Sequence, residues 1–433
     1  MLSVTNQEWR NWADTSTGTP NITFYPESIE DVCTIVKQAS KENRNVRVVG
    51  AGHSFTKLVA TNDYLISLDK LSGIESIDER EGIVTVLGGT RLFNIGSELA
   101  KKGYSQENLG DINVQSIAGA ISTGTHGTGI EFGNIPSQVL ELTIVNAQGE
   151  IMVFSEENHS DLFNASLISL GMFGIIVRVK LRIIKSPVYA YESKKVKFSE
   201  LYTRFERYIY ENRHFECYIF PFSDLVQIKT MNITDQQPQK LTIHNCKNLL
   251  IENYLFYVLS ETSRLIPKTS SYISKFSAVG VSSTKVIAES HQLFATPRLV
   301  RFREIEYCIP LEFAKDALQE IRATIEERKY KVHFPIECRT VKADDIWLSP
   351  SYQRDSFYIA FHMYKGMPYE TYFRDMEAIM QKYQGRPHWG KMHHKSKEEL
   401  MELYPKFNEF REKREELDPN NLFMNPYMSS LFS

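Results

Sequence analysis

The sequence holds no CxxC pair. Its five cysteines, Cys33, Cys217, Cys246, Cys308 and Cys338, are scattered and odd in number. That spacing argues against a zinc knuckle and a disulfide framework, so a reducing, cytoplasmic compartment is expected. Excess charge of either sign is also missing, the formal net charge being −3. Neither nucleic acid nor an anionic membrane surface has an electrostatic reason to bind. No apolar run is long enough to cross a bilayer. The most apolar stretch, NLLIENYLFYVLS at 248–260, is short and carries Glu252 and Asn253. It reads as a buried amphipathic helix. The opening residues, MLSVTNQEWRNWADTSTG, lack the apolar stretch of a signal peptide. Low-complexity tracts and solenoid-period repeats are absent as well.

What is present is 433 residues, 42% apolar and 24% charged. That is too much chain for one ordinary core, so two domains are expected. In YPESIEDVCTIVKQASKENR, Ser28 is placed to cap a helix with Asp31 three residues on, and Ile29, Val32, Cys33 and Val36 recur at helical spacing. NVRVVG reads as a strand. IESIDEREGIVTVLGG reads as a hairpin, and QVLELTIVNAQGEIMVFS as a second one turning at Gln148-Gly149. TRLFNIGSELAKKG is a short amphipathic helix stopped by Gly103. SDLFNASLIS is helical, and GIIVRVKLRII alternates like a half-exposed strand. Helices interleaved with antiparallel hairpins make an α+β domain ending near the Ser186-Pro187 break. Beyond it, the strand-like REIEYCIP, KVHFPIECRT and SFYIAFHMY are separated by the helix-like LEFAKDALQEIRATIEER and PYETYFRDMEAIMQKYQG. One antiparallel sheet covered on one face by helices is expected there.

Four stretches carry chemistry. In VVGAGHS, Gly50 and Gly52 permit a tight turn whose backbone N–H groups suit a phosphate. The third glycine of a dinucleotide fingerprint is missing, and on this stretch alone a plain glycine turn explains the pattern equally well. The second stretch, SIAGAISTGTHGTG at 116–129, alternates glycine with serine and threonine and sets His126 among glycines. Two such loops in one domain favour a phosphate-bearing cofactor over two unrelated turns. The third is FPIECRTVKADDIWLSPSYQRD. There Glu337 and Arg339 sit two apart on a strand and so share a face. A surface ion pair is the plain alternative, whereas on an otherwise apolar sheet the pair lines a site. The fourth is RPHWGKMHHK. His388, His393 and His394 fit no familiar zinc spacing, so no metal is expected. Trp389 and Lys391 read as a loop presenting a flat ring and a cation to a pocket, or as a tryptophan anchor beside an exposed lysine. His159, His214, His244, His291 and His333 read as structural, and EFREKREE as a solvated helix face.

Taken in order, NWADTSTGTPNITFYPESIEDV, VRVVGAGHSFT, STGTHGTG, EIEYCIP, FPIECR, DDIWLSPSYQRDS, GRPHWGKMH and LDPNNLFMNPYMSSLF resemble the sugar-1,4-lactone oxidoreductases. That group includes the L-gulonolactone and D-arabinonolactone oxidases, with alditol oxidase as a cousin, among the vanillyl-alcohol-oxidase-type flavoproteins. The resemblance runs from about residue 9 to the C-terminus. It implies an FAD-binding domain over 1–187, a cap domain over 188–394, and a segment, 395–433, returning to the FAD domain. Val49, Gly50, Ala51, Gly52, His53, Ser54 and Phe55 would form the pyrophosphate loop, with His53 matching the residue that is covalently joined to the flavin in histidine-bearing members. Ser116, Gly119, Thr123, Gly124, His126, Gly127 and Ile176 would lie along the cofactor. Glu337, Arg339 and Lys391 would be catalytic, and with Ser116 and His362 would meet the substrate. Alditol oxidase has His-x-Thr where this chain has His362-Met363-Tyr364, as lactone oxidases do, which tilts the expectation toward a lactone or aldose over an open-chain polyol. The implied reaction is hydride transfer from a hydroxyl-bearing carbon to flavin N5, with electrons passed to oxygen or another acceptor. Glu337 or solvent would take the alcohol proton, while Arg339 and Lys391 stabilise negative charge. The alternatives are an alditol or aldose oxidase on the same scaffold and, from another class, a nucleotide-binding protein without turnover.

Overall fold

A computed structural model describes residues 2–239, 243–294 and 300–433; at 243–252 and 291 it describes the backbone only. Local sequence rules account for its first elements. Ser28 Oγ accepts from the Asp31 N–H and the Asp31 carboxylate accepts from the Ser28 N–H, closing a capping box on helix Ile29–Lys41. Val32, Ile35, Val36 and Ala39 form its buried face. Both predicted hairpins form: Ile74–Asp78 pairs with Ile83–Leu87, and Val139–Val145 with Ile151–Ser155. The second turns at Gly149, whose φ of +70° is a left-handed value that glycine adopts without strain. Gly103 likewise stops helix Leu92–Lys101 with φ +77°.

These elements build two small sheets. One runs Leu2–Thr5, Ile22–Tyr25, Tyr64–Ser67, Val46–Val49, with its last three strands parallel. The other is antiparallel, in the order Ile151–Ser155, Val139–Val145, Ile175–Arg182, Ile83–Leu87, Ile74–Asp78. The chain then enters an eight-stranded antiparallel sheet. Its order is Thr284–Glu289, Val188–Lys197, Leu225–Ile233, His214–Ile219, Ile336–Val341, Ser356–Tyr364, Phe302–Pro310, Arg386–Pro387. Helices Ala314–Arg328 and Glu370–Lys382 cover one face. Their Leu318, Ile321, Phe373 and Met376 share a core with Ile305, Tyr307, Cys338 and Ile359 of the strands. Side chains alternate along a strand, so the intervening Glu304, Glu306, Glu337 and Arg339 face away from the helices. That second face carries the chemistry.

The tail packs back on the first two sheets. The Val46 N–H donates to the Leu422 carbonyl at 2.7 Å, and Asn425 Nδ2 donates to the carbonyls of Lys57 and Ala60, both at 2.9 Å. Buried Arg47 donates to the carbonyls of Leu58, Leu170 and Phe423. Tyr404, Phe407, Phe410, Met428 and Phe432 join the core of Ile117 and Phe173.

Two expectations need correction. KVHFPIECRT is a strand only over Ile336–Val341, because Pro335 lacks the N–H that the ladder would need. The apolar stretch at 248–260 lies in helix Ile243–Leu265 but is not a buried one. Its side chains before Asn253 lie outside the described set, and Tyr254, Leu255, Tyr257 and Val258 are exposed. Buried residues are mostly apolar, but apolar residues need not be buried.

Candidate active site

The two glycine motifs come together. Val49 ends a parallel strand, and the loop beyond it turns at Gly52, where φ is +66°. Ser116 caps the six-residue helix Ile117–Ser122, its Oγ accepting from the Gly119 N–H. A Cβ on Gly50 would stand 2.1 Å from that Oγ, so only glycine lets the two loops touch. Between them lies a cleft of about 900 Å³. Its walls include Val49, Gly50, Ala51, Gly52, His53, Ser54, Ser116, Gly119, Thr123 and Ile176. Among the described residues, Arg47 is the one lining residue with a formal charge, and it is tied inward to carbonyls. Among the described residues, the N–H groups of Ala51, Gly52, His53 and Ser54 donate no hydrogen bond to protein. Free backbone donors, small side chains and no carboxylate together fit a pyrophosphate-bearing cofactor.

A second cleft, of about 730 Å³, adjoins the first and shares His53, Ser54, Gln115 and Thr123 with it. It is bounded by the eight-stranded sheet and is charged. Arg339 is gripped by Glu337, by Glu216 at 3.1 Å and by Asp111 at 3.9 Å. The Tyr218 hydroxyl donates to Glu337 at 3.0 Å. Lys391 donates to Glu304 at 2.6 Å and stands 4.0 Å from Glu306. Burial pushes the Glu304 carboxyl up, but Lys391 and then His362 overcome it and leave it at about 2. Glu306 is likewise held well below the usual carboxylate range, burial being outweighed by His126 and Lys391. His362 Nε2 lies 3.5 Å from Glu304.

His53 stands where the clefts meet. Burial, with Lys391 and Arg91 adding to it, lowers its pKa to about 4, so its imidazole is neutral at physiological pH. Its ring stacks on Trp12, with centroids 5.4 Å apart.

Of the remaining candidates, Phe55, His126, Glu337, Arg339, His362 and Lys391 line the second cleft, while Ser116 lines only the first. Gly127 lies beside a third, smaller cavity behind Arg339, and Gly124 turns against Ile168 with φ +71°. Trp389 does not offer its ring to the pocket: it is in the core, its Nε1 donating to the Leu348 carbonyl at 2.7 Å. The three histidines of RPHWGKMHHK diverge. His393 meets Tyr427, His394 meets Glu377, and His388 is buried near His126. His126, Glu306 and His388 do cluster closely enough to hold a metal ion. Their hydrogen bonds put protons where a metal would need lone pairs. His388 Nδ1 accepts from the Gly390 N–H, so its proton sits on Nε2. His126 faces acceptors on both sides, Gly127 O at 2.9 Å and Glu306 at 3.0 Å.

The sequence reading missed Glu304, Glu306, Asp111, Glu216 and Trp12. Glu304 and Glu306 lay in plain view in REIEYCIP, two apart in an apolar strand, the same signal that singled out Glu337 and Arg339.

Comparison with known proteins agrees with this geometry. Residues 20–155 match the FAD binding domain family and residues 179–431 match D-arabinono-1,4-lactone oxidase. Cholesterol oxidase from Brevibacterium sterolicum has the same fold, with TM-score 0.82 at 16% identity, covering 100% of this chain and 97% of that one. The FAD binding domain match and the first cleft thus mark an FAD flavoprotein. L-gulono-1,4-lactone dehydrogenase of Mycobacterium tuberculosis is 36% identical over 97% of both chains, and L-gulonolactone oxidase of Mus musculus is 31% identical over 98% of both. The chain belongs to the sugar-1,4-lactone oxidoreductase family.

Proposed function

We propose that this protein oxidises a neutral sugar-1,4-lactone of the gulono-, galactono- or arabinono- type, with FAD in the first cleft as the electron acceptor. One observation carries the reading: a neutral imidazole, His53, is shared by an uncharged, glycine-walled cleft and a polar, charged one. Bound FAD would supply a two-electron acceptor at its N5. The substrate's carbon–hydrogen bond breaks as hydride leaves, its hydroxyl loses a proton, and a carbonyl forms. Arg339 and Lys391 stabilise the charge that develops, and Glu337, held by Arg339 and Tyr218, is placed to take the proton or pass it to solvent. Bound FAD would pass the two electrons on to dioxygen or another acceptor, and relatives carry both oxidase and dehydrogenase names.

The charge balance supports a neutral substrate. Four carboxylates, Asp111, Glu304, Glu306 and Glu337, line the second cleft, and its two permanent cations, Arg339 and Lys391, are already paired with them. A lactone finds hydrogen-bond partners there, whereas its ring-opened aldonate meets carboxylates and no cation that is not already paired.

His53 is the proposed tether to the flavin 8α carbon. Net, one N–C bond forms while one N–H and one C–H bond are lost, and the two electrons and two protons reduce an acceptor such as dioxygen to hydrogen peroxide. A neutral imidazole supplies the lone pair this needs, which its depressed pKa favours. Placement in a reducing compartment is supported by the scattered, odd-numbered cysteines and the lack of any CxxC pair. No described helix is long and apolar enough to cross a membrane.

Purified protein should be yellow, and acid precipitation should leave a yellow pellet. Colourless protein that cannot be reconstituted with FAD contradicts the assignment.

A further inference from the structure

We infer that Trp12 is a positioning residue for His53, held there by an N-terminal strap that clasps both halves of the molecule. The inference rests on the reading that His53 tethers the flavin. Among the described contacts, no hydrogen bond fixes either nitrogen of His53. The stack on Trp12, at 5.4 Å between centroids and 24° between planes, is the ring contact that sets its plane.

Trp12 is itself held on three sides. Its backbone N–H donates to the Gly52 carbonyl at 2.8 Å, directly before His53. Asn11 Nδ2 donates to the Ser54 carbonyl at 2.8 Å, directly after it. The indole packs edge-on against Phe55 and against Phe302 of the large sheet, the latter at 5.3 Å. Asn11 also closes the strap on itself, its Oδ1 accepting from the N–H groups of Thr15 and Ser16. The far end is anchored to the other half of the molecule. The Asp14 carboxylate is shared by Arg301 at 2.8 Å and Lys365 at 2.7 Å. Asp14 adopts φ +54°, a left-handed value that aspartate tolerates better than most residues do.

A histidine with two free side-chain torsions samples several rotamers. The indole plane removes most of them and keeps the imidazole at the junction of the clefts. Bond formation demands such orientation, and a misplaced nucleophile loses rate steeply. Simple binding of FAD in the glycine cleft does not demand it. Trp12 should therefore matter for attachment and little for occupancy.

The test uses full-length protein, with Trp12→Ala, Trp12→Phe and His53→Ala compared with the parent. Each is stripped of or produced without flavin, loaded with FAD in air, and sampled over time for total bound flavin and for flavin that stays with acid-precipitated protein. We expect Trp12→Ala to bind near-parental total flavin yet form the acid-stable product about tenfold more slowly. Trp12→Phe should recover most of the rate, and His53→Ala should form no acid-stable product. Parental attachment rates in Trp12→Ala overturn the inference and leave the tether reading intact. So does an equal loss of total and acid-stable flavin in both Trp12 variants, which marks a merely structural residue. A parent without acid-stable flavin overturns both.

Discussion

The two clefts that meet at His53 are made of opposite materials. The first is backbone, glycine and small side chains, and its single charged lining residue, Arg47, is tied inward to three carbonyls. The second is a set of charged side chains that hold one another, Arg339 by three carboxylates and Lys391 by two. A cleft that grips with its backbone needs side chains absent, and it suits an anionic pyrophosphate. A cleft that grips with paired charges needs them fixed in advance, and with its cations already paired it suits a neutral, hydroxyl-rich ligand. A neutral imidazole, His53, stands between the two.

The largest break in this contrast comes from the cations of the second cleft. Arg339→Leu or Lys391→Met should lower lactone turnover by about 100- to 1000-fold. Flavin content should remain near parental in both, because neither residue lines the first cleft. Steady-state rates alongside flavin absorbance check this, and equal loss of both would mean the residues serve folding. The first cleft breaks differently. Gly50→Ala places a methyl against Ser116 Oγ and forces it off the Gly119 N–H, a cap worth about 1 kcal/mol. Bound flavin should fall severalfold, with turnover per remaining flavin unchanged. Gly50→Ala combined with Ser116→Gly should regain part of the loss. A smaller effect is expected at Glu304. Glu304→Gln frees Lys391 from its 2.6 Å partner and removes one negative charge. Turnover should drop about tenfold, and aldonate should become a better inhibitor, as inhibition constants would register.

The mildest test is of stability against pH. His214, His333, His388 and His393 are each lowered by burial to about 4 from 6.5. Between those values the unfolded chain binds protons that the folded one refuses, so stability falls as pH drops from 6.5 toward 4. Glu304, held at about 2, extends the loss below pH 4.5. Asp344, raised by burial to about 7, and Asp418, also raised by burial, run the other way, with at most two protons against four. Thermal unfolding midpoints across that range should decline toward acid, and a flat profile would contradict the burial of these rings.

The two clefts also differed in how far they could be read from sequence. Glycine motifs announce themselves, because few other reasons put four glycines and three threonines within 14 residues at 116–129. That Gly50 touches Ser116 is a tertiary fact, and no local pattern carries it. In the second cleft, Glu337 and Arg339 were found by strand alternation. Glu304 and Glu306 carry the same alternation in REIEYCIP, but strand propensity alone does not say which face its acids occupy. Glu216 meets Arg339 through the sheet order, and Asp111 reaches it from a loop far earlier in the chain. The histidines on either side of Trp389 are legible as a cluster in sequence, yet a turn sends each to a different partner.

The central claim is most directly tested by anaerobic mixing of the flavin-loaded protein with L-gulono-1,4-lactone and, separately, with the matching aldonate. The account predicts that the lactone bleaches the flavin's visible band and the aldonate does not, at concentrations where both are soluble. Equal reduction by the aldonate, or no reduction by any aldonolactone while alditols or aldoses bleach the band, would contradict it.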